Sequence, residues 1–292
     1  MSENKIVKAL RESTANMGGE MSFFDHIEAL RWHLIRASIA ILVFTGLAFY
    51  YYDWLFGHII MAPAHMNFWT YQSMCNLGHW LGTVFKGHTF DFCFSEIHLQ
   101  LMNTEMAGQF TLQINSALII GITVGIPYLL WEIWRFIKPA LHDKERKAAS
   151  GFVAYATFLF FCGVMFGYYI ITPMSVHFLM GYVVSTDIKN MIDIDSYLSS
   201  VTTLTLATGL VFELPILIYI LANLGIMTAK TMRQTRRYAI VIILIIAAIV
   251  TPTPDMLTMT VVSIPLFVLY EVSILVAGLV EKRKLKRAEA EA

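Results

Sequence analysis

Six apolar runs, each with at most one charged residue, constrain this chain more than any other feature. They lie at Leu34–Tyr52, Gln109–Trp131, Phe152–Ile171, Leu198–Leu221, Tyr238–Val250 and Leu257–Leu279. Runs of about 20 apolar residues without a 2.0 or 3.6 period are the mark of helices solvated by lipid. The chain is 57% hydrophobic and 14% charged, against about a quarter charged in a soluble domain. The expected fold is therefore all-α and polytopic, with six transmembrane helices. The third run is expected to end at Pro173. The fifth run spans 13 residues, roughly 20 Å of helix against a hydrocarbon core of about 30 Å, and is read as half of a short membrane hairpin turned by "TPTPD". Met1 to Glu20 is polar and of mixed charge, without the apolar core of a cleavable signal peptide.

Charge segregation tests that count. Of the 21 Lys and Arg, 19 fall in the N-terminal segment with the start of the first helix, the 132–150 and 223–237 loops, or the C-terminal tail. Only Lys86 and Lys189 lie on the other side. By the positive-inside rule this fits six spans with both termini in the cytoplasm. The chain divides into a cytoplasmic N-terminal segment (1–32), a six-helix domain (33–279) with a large extracytoplasmic loop at 53–108, and a cytoplasmic tail (280–292). Cys75 and Cys93 share that loop with 17 residues between them, and are expected to pair in an oxidising compartment. "CNLGH" and the nearby histidines lack zinc-ligand spacing, so no metal is expected.

Several function classes drop out. Net charge is zero, which leaves no electrostatic case for nucleic acid. No HExxH pair, GxSxG elbow or Walker loop is present, so no enzyme and no cofactor are expected. Two GxxxG stretches, "GITVG" from Gly121 and "GVMFG" from Gly163, offer close helix contacts inside the bundle or at a dimer face.

Four stretches carry more information: "FFDHIEALRWHLIRA" before the first span, "YLLWEIWRFIKPALHDKERK" leaving the second, the intramembrane Glu213–Leu214–Pro215, and "RRYAIVIILIIAAIVTPTPDMLTMTVVSIPLFVLYEVSILVA" with a second intramembrane acid, Glu271. In that order, over residues 23 to 279, they resemble the TatC family, the polytopic core of the twin-arginine protein translocase. The resemblance implies a cupped six-helix bundle in the bacterial cytoplasmic (inner) membrane. It also implies recognition of twin-arginine signal peptides on folded cargo, single-span partners of the TatA and TatB types, an oligomeric complex, and export driven by the proton-motive force.

Residue by residue, His26, Leu30 and Arg31 match the family's H-L-x-E-L-R pattern. Ala29 occupies its glutamate position, with Glu28 one residue earlier. The second acid of the implied signal-peptide patch falls on Glu145, preceded by the matching Phe136 and Pro139. Glu213, Asp255 and Glu271 match the family's later acids, and Met259 stands where a polar partner contact is usual. Two arginines on a peptide favour partly desolvated carboxylates that accept bidentate bonds, the chemistry expected of Glu28 and Glu145.

Glu213 is the costly residue, since a mid-bilayer carboxylate is expensive and Pro215 removes a backbone donor. It is read as facing a wet groove, where polar groups and irregular backbone are tolerated. Its candidate roles are polar anchor, proton-linked group and partner contact. The competing function is a proton-coupled small-solute transporter using Glu213 and Glu271. Paired motifs at the cytoplasmic surface favour the translocase, because a small solute requires midplane sites instead.

Overall fold

The computed structural model describes residues 23–65, 67–84, 101–138, 151–185, 190–223, 225–251 and 256–291. Its main helices are α1 (Phe23–Tyr50), α2 (Trp69–Val84), α3 (Gly108–Ile137), α4 (Phe152–Phe166), α5 (Thr172–Gly181), α6 (Ile194–Phe212), α7 (Leu214–Asn223), α8 (Ala229–Gln234), α9 (Arg236–Val250) and α10 (Met256–Glu291). Among the described residues, five stretches are long and apolar enough to cross a bilayer: Leu30–Tyr50, Gly108–Ile137, Val153–Gly181, Ile194–Asn223 and Thr258–Lys286. The sixth apolar helix is the short α9, whose 15 residues rise about 22 Å. The all-α polytopic architecture is therefore present.

Two spans differ from the expectation in their interior. The third does not end at Pro173. A π-helical turn at Gly167–Ile171 leads directly into α5, where Pro173 occupies the first turn. The carbonyl that Pro173 leaves without its helical donor, Tyr169 O, accepts from the Thr70 hydroxyl instead, and the span continues to Gly181. The fourth run is two helices, because α6 stops at Glu213 and α7 begins at Leu214. Pro215 then sits in the first turn of α7, where an N–H has no intrahelical acceptor to lose. The Glu213 carbonyl takes the N–H groups of Ile216 and Leu217 at 3.0 and 3.1 Å.

Lipid offers apolar helices no hydrophobic reason to leave it, so close packing must hold them together. Both GxxxG stretches serve that end within the chain. A Cβ on Gly121 would lie 2.7 Å from the Thr45 backbone, and one on Gly125 would lie 2.7 Å from Ile41 Cγ1, which seats α3 against α1. A Cβ on Gly163 would come 2.8 Å from Gly209 Cα, seating α4 against α6. Behind these contacts a buried core of Ile171, Leu204, Ile243, Ala247 and Leu266 joins the third and fourth spans to α9 and α10.

One end of the bundle is capped by α2 and a two-residue parallel pairing of β1 (Leu101–Met102) with β2 (Ile192–Asp193). Phenols tie this cap to irregular backbone. Tyr197 donates to Ile60 O at 2.8 Å, Tyr168 to Ile59 O at 2.6 Å, and Tyr71 to Pro63 O at 3.0 Å and Pro173 O at 3.2 Å. Burial pushes the Tyr71 phenol well above its ordinary pKa, which keeps it a donor.

Candidate functional site

The opposite end of the bundle carries the stretches singled out for peptide recognition. Antiparallel packing brings the start of α1 beside the end of α3, and a buried carboxylate fastens the two. Glu132 is 1% exposed. Its Oε2 accepts from His33 Nδ1, its Oε1 accepts from the Tyr128 hydroxyl at 3.0 Å, and Arg135 Nη1 stands 3.6 Å from Oε1. Tyr128, Glu132 and Arg135 share one face because they are four and three residues apart. The Arg135 guanidinium also lies over the Trp131 ring, 5.0 Å from its centroid. The His33 ring meets Phe136 edge-on at 6.2 Å. Each charge here has a partner on this chain.

Beyond this clasp, Glu28 and Arg31 are exposed on α1. Glu28 is five residues before His33, or about 7.5 Å farther along the helix axis. Phe136 is half-buried. Glu145, the other acid of the expected patch, lies outside the described residues. The described part of the site thus presents exposed charge on α1 beside a rigid aromatic and guanidinium face on α3.

A family profile described as Sec-independent protein translocase protein (TatC) matches residues 25–265. The chain belongs to the TatC family. It is 36% identical over 269 residues to the Sec-independent protein translocase protein TatC of Blattabacterium sp. subsp. Periplaneta americana, covering 92% of this chain and 99% of that protein. The Deinococcus radiodurans protein of the same name is 35% identical over 254 residues, covering 87% of this chain and 84% of that one. The crystal structure of the twin-arginine translocase receptor TatC superposes with a TM-score of 0.64 at 29% identity, over 88% of this chain and 99% of that one. As a TatC-family protein the chain is a component of the Sec-independent protein translocase.

Within this TatC-family fold the intramembrane acids have unlike surroundings. Glu213 sits at the break between α6 and α7, half-buried. Its Oε1 is enclosed and has no hydrogen-bond partner among the described residues. A cavity of about 340 Å³ opens between α3, α4 and α6, lined by Ser116, Thr123, Tyr168 and Thr205 among others, and Glu213 is not part of its lining. Glu271 is engaged: its Oε2 accepts from Arg236 Nη2 at 2.7 Å, across the α9–α10 hairpin. Met259 is half-buried on α10, and Asp255 lies outside the described residues. Cys75 is disulfide-bonded and Cys162 is free; Cys93 lies outside the described residues.

Glu132 lies in one of the four informative stretches, yet sequence reasoning assigns it no role. Two signals point to one: an acid inside an apolar helix demands a partner, and Tyr128 and Arg135 stand at helical spacing from it. Nothing in a single sequence names His33, 99 positions away.

Proposed function

We propose that this TatC-family chain is the receptor for twin-arginine signal peptides of folded cargo. In this reading it is the core, without catalytic activity of its own, of a complex with TatA- and TatB-type single-span proteins. It resides in the bacterial cytoplasmic membrane with both termini inside, and transport draws on the proton-motive force. Glu28, Arg31, Phe136 and Glu145 form the peptide site. Glu213, Asp255 and Glu271 serve polar contacts with partner helices or the membrane interior, and Met259 faces a partner helix where the family usually has a polar residue.

The observation that carries this reading is the Glu132 clasp. It fixes the start of α1, which bears Glu28 and Arg31, against the end of α3, which bears Phe136 and leads toward Glu145 in the sequence. A peptide with two guanidiniums needs carboxylates held in register, and a partly desolvated pair of this kind contributes strongly to specificity. We further propose Cys93 as the partner of Cys75, given that the chain has three cysteines and Cys162 is free. Mass analysis of non-reduced peptides reads that pairing directly.

The deciding experiment is crosslinking of a twin-arginine peptide to membranes holding the complex. Glu145→Lys is expected to lower peptide capture by one to a few orders of magnitude, at about 1.4 kcal/mol per decade. Glu28→Ala is expected to lower it less. Undiminished capture by Glu145→Lys removes the patch assignment. Capture that is insensitive to replacing both peptide arginines removes the receptor reading itself.

A further inference from the structure

A second concave site lies away from the clasp, between the short helix α8 and the extension of α10. Its floor is made of small residues: Ala229 is buried, and a Cβ on Gly278 would stand only 3.7 Å from Ala229 Cβ. The crevice encloses about 440 Å³, and Lys230, Arg233 and Lys282 stand around it. All three are exposed, and none has an ion-pair partner among the described residues. Glu281 is the one acid in the lining, likewise without an ion-pair partner there; Leu285 closes the aqueous end, and the exposed Leu275 continues the same face of α10 toward the membrane. On α10 the residues Gly278, Glu281, Lys282 and Leu285 share a face by helical spacing.

The level of this crevice along α10 decides what occupies it. The apolar run of α10 gives way at Val280 to the charged stretch "EKRKLKR", so the crevice sits where hydrocarbon meets headgroups. Its wall is fixed, because Lys284 Nζ donates to Asn223 O at the end of α7. Three cations with no anion of their own, a floor with room for a small headgroup, and an apolar exit together match one ligand class. We propose that this crevice binds the phosphate headgroup of an anionic phospholipid, with the acyl chains leaving toward the hydrocarbon past Leu275, which is exposed on the same face of α10 one turn before Gly278. Lys230, Arg233 and Lys282 hold the phosphate oxygens, and Glu281 tempers the affinity so that the lipid exchanges.

The test uses the full chain, purified in detergent and titrated with phosphatidylglycerol or phosphatidylcholine while native mass spectrometry counts bound lipid. Wild type is expected to retain phosphatidylglycerol over phosphatidylcholine. The exposed-site triple variant Lys230→Gln/Arg233→Gln/Lys282→Gln is expected to lose that preference by about tenfold or more. Glu281→Gln is expected to tighten binding. Arg283→Gln, on the opposite face of α10, is expected to change nothing. Equal retention of the two lipids by wild type, which needs no variant to fold, overturns the proposal. So does an unchanged triple variant, or a loss in Arg283→Gln as large as in the triple. Two competition arms separate other sources. Displacement of the lipid by inorganic phosphate alone points to a soluble anion, and displacement by a short acidic peptide points to a protein segment. Either displacement overturns the lipid assignment. Peptide crosslinking reads the clasp end independently, so failure here leaves the receptor proposal standing.

Discussion

Glu132 and Glu213 are both carboxylates within long apolar stretches of the chain, and the fold treats them in opposite ways. Glu132 is buried and receives a histidine, a phenol and a guanidinium, all from α1 and α3. Glu213 occupies a break between two helices, where one of its oxygens is enclosed with no partner among the described residues. A buried charge with partners costs little more to keep, whereas a buried charge without them costs several kcal/mol. The first acid is therefore a fastener whose bonds are complete within the chain. The second is held at a cost, with one oxygen that nothing among the described residues satisfies, which is the motive for the partner-contact role proposed for it.

The largest expected effect comes from undoing the fastener. Glu132→Ala leaves His33 and the Tyr128 hydroxyl without their shared acceptor, and is expected to cost about 3–5 kcal/mol. Glu132→Gln keeps the shape and some of the hydrogen bonding, and is expected to cost about 1–3 kcal/mol. Thermal unfolding of the detergent-solubilised protein reads both. The double change His33→Ala/Glu132→Ala is expected to cost less than the sum of the singles, because the two side chains are direct partners. An unfolding temperature for Glu132→Ala equal to that of wild type would erase the contrast between the two acids.

A steric version of the same comparison is available farther along the α1–α3 seam. Gly121 faces the Thr45 backbone so closely that any side chain must push α3 off α1, whereas a Cβ added to Gly46 on α1 would meet nothing within 4 Å. Gly121→Leu is expected to destabilise by about 1–3 kcal/mol. Gly46→Ala is expected to be neutral, or to gain about 0.5–1 kcal/mol from helix propensity. If both behave alike, the α1–α3 seam is not the tight interface that the clasp requires.

These residues also show which features are legible in sequence. The spans are readable because lipid imposes a run length that no loop or soluble helix imitates. The cost of Pro215 is readable because a missing donor is a local fact, although the division of the run into two helices there is not. Pro173 misleads for the complementary reason: the carbonyl it leaves without a donor, Tyr169 O, is served by Thr70, 99 positions away, and proline alone does not announce that rescue. Glu132 carries a local cue in Tyr128 and Arg135, but its strongest partner comes from another helix. In the same way, the cap's tyrosines each find a carbonyl far along the chain, such as Tyr197 on Ile60. Local rules register the need for a partner and leave its identity to tertiary packing.

Glu213 should respond in function more than in stability. Glu213→Leu removes an unpartnered buried oxygen, so the unfolding temperature is expected to stay within about 1 kcal/mol of wild type or to rise. Partner crosslinking and export by the same variant are expected to fall sharply, while Glu213→Gln, which still hydrogen-bonds, is expected to retain most of both. A Leu variant that unfolds as early as Glu132→Ala would show that Glu213 is a second fastener. A Leu variant with full export would show that its cost serves no binding event.

Asp193 supplies the smallest effect, and isolates what burial adds to the contrast. It accepts from Thr104 Oγ1 at 2.7 Å and from the Asp195 N–H at 2.9 Å, capping α6 and tying it to the strand pair. The Thr104 hydroxyl and the Asp195 N–H hold its carboxyl below the usual range. This acid is as well supplied with hydrogen bonds as Glu132 but stands in water, where partners and solvent compete on nearly equal terms. Because its folded pKa is depressed, its contribution is fully present above the unfolded aspartate value of about 3.9, and is lost as pH falls through the lower folded value. Asp193→Asn should therefore leave stability at pH 7 close to wild type, and flatten a small part of the acid limb below about pH 4. Unfolding temperatures of the two proteins across that limb measure it. If Asp193→Asn destabilises as much as Glu132→Gln, hydrogen-bond count rather than burial separates the acids of this fold, and the distinction drawn between Glu132 and Glu213 has to be redrawn on that basis.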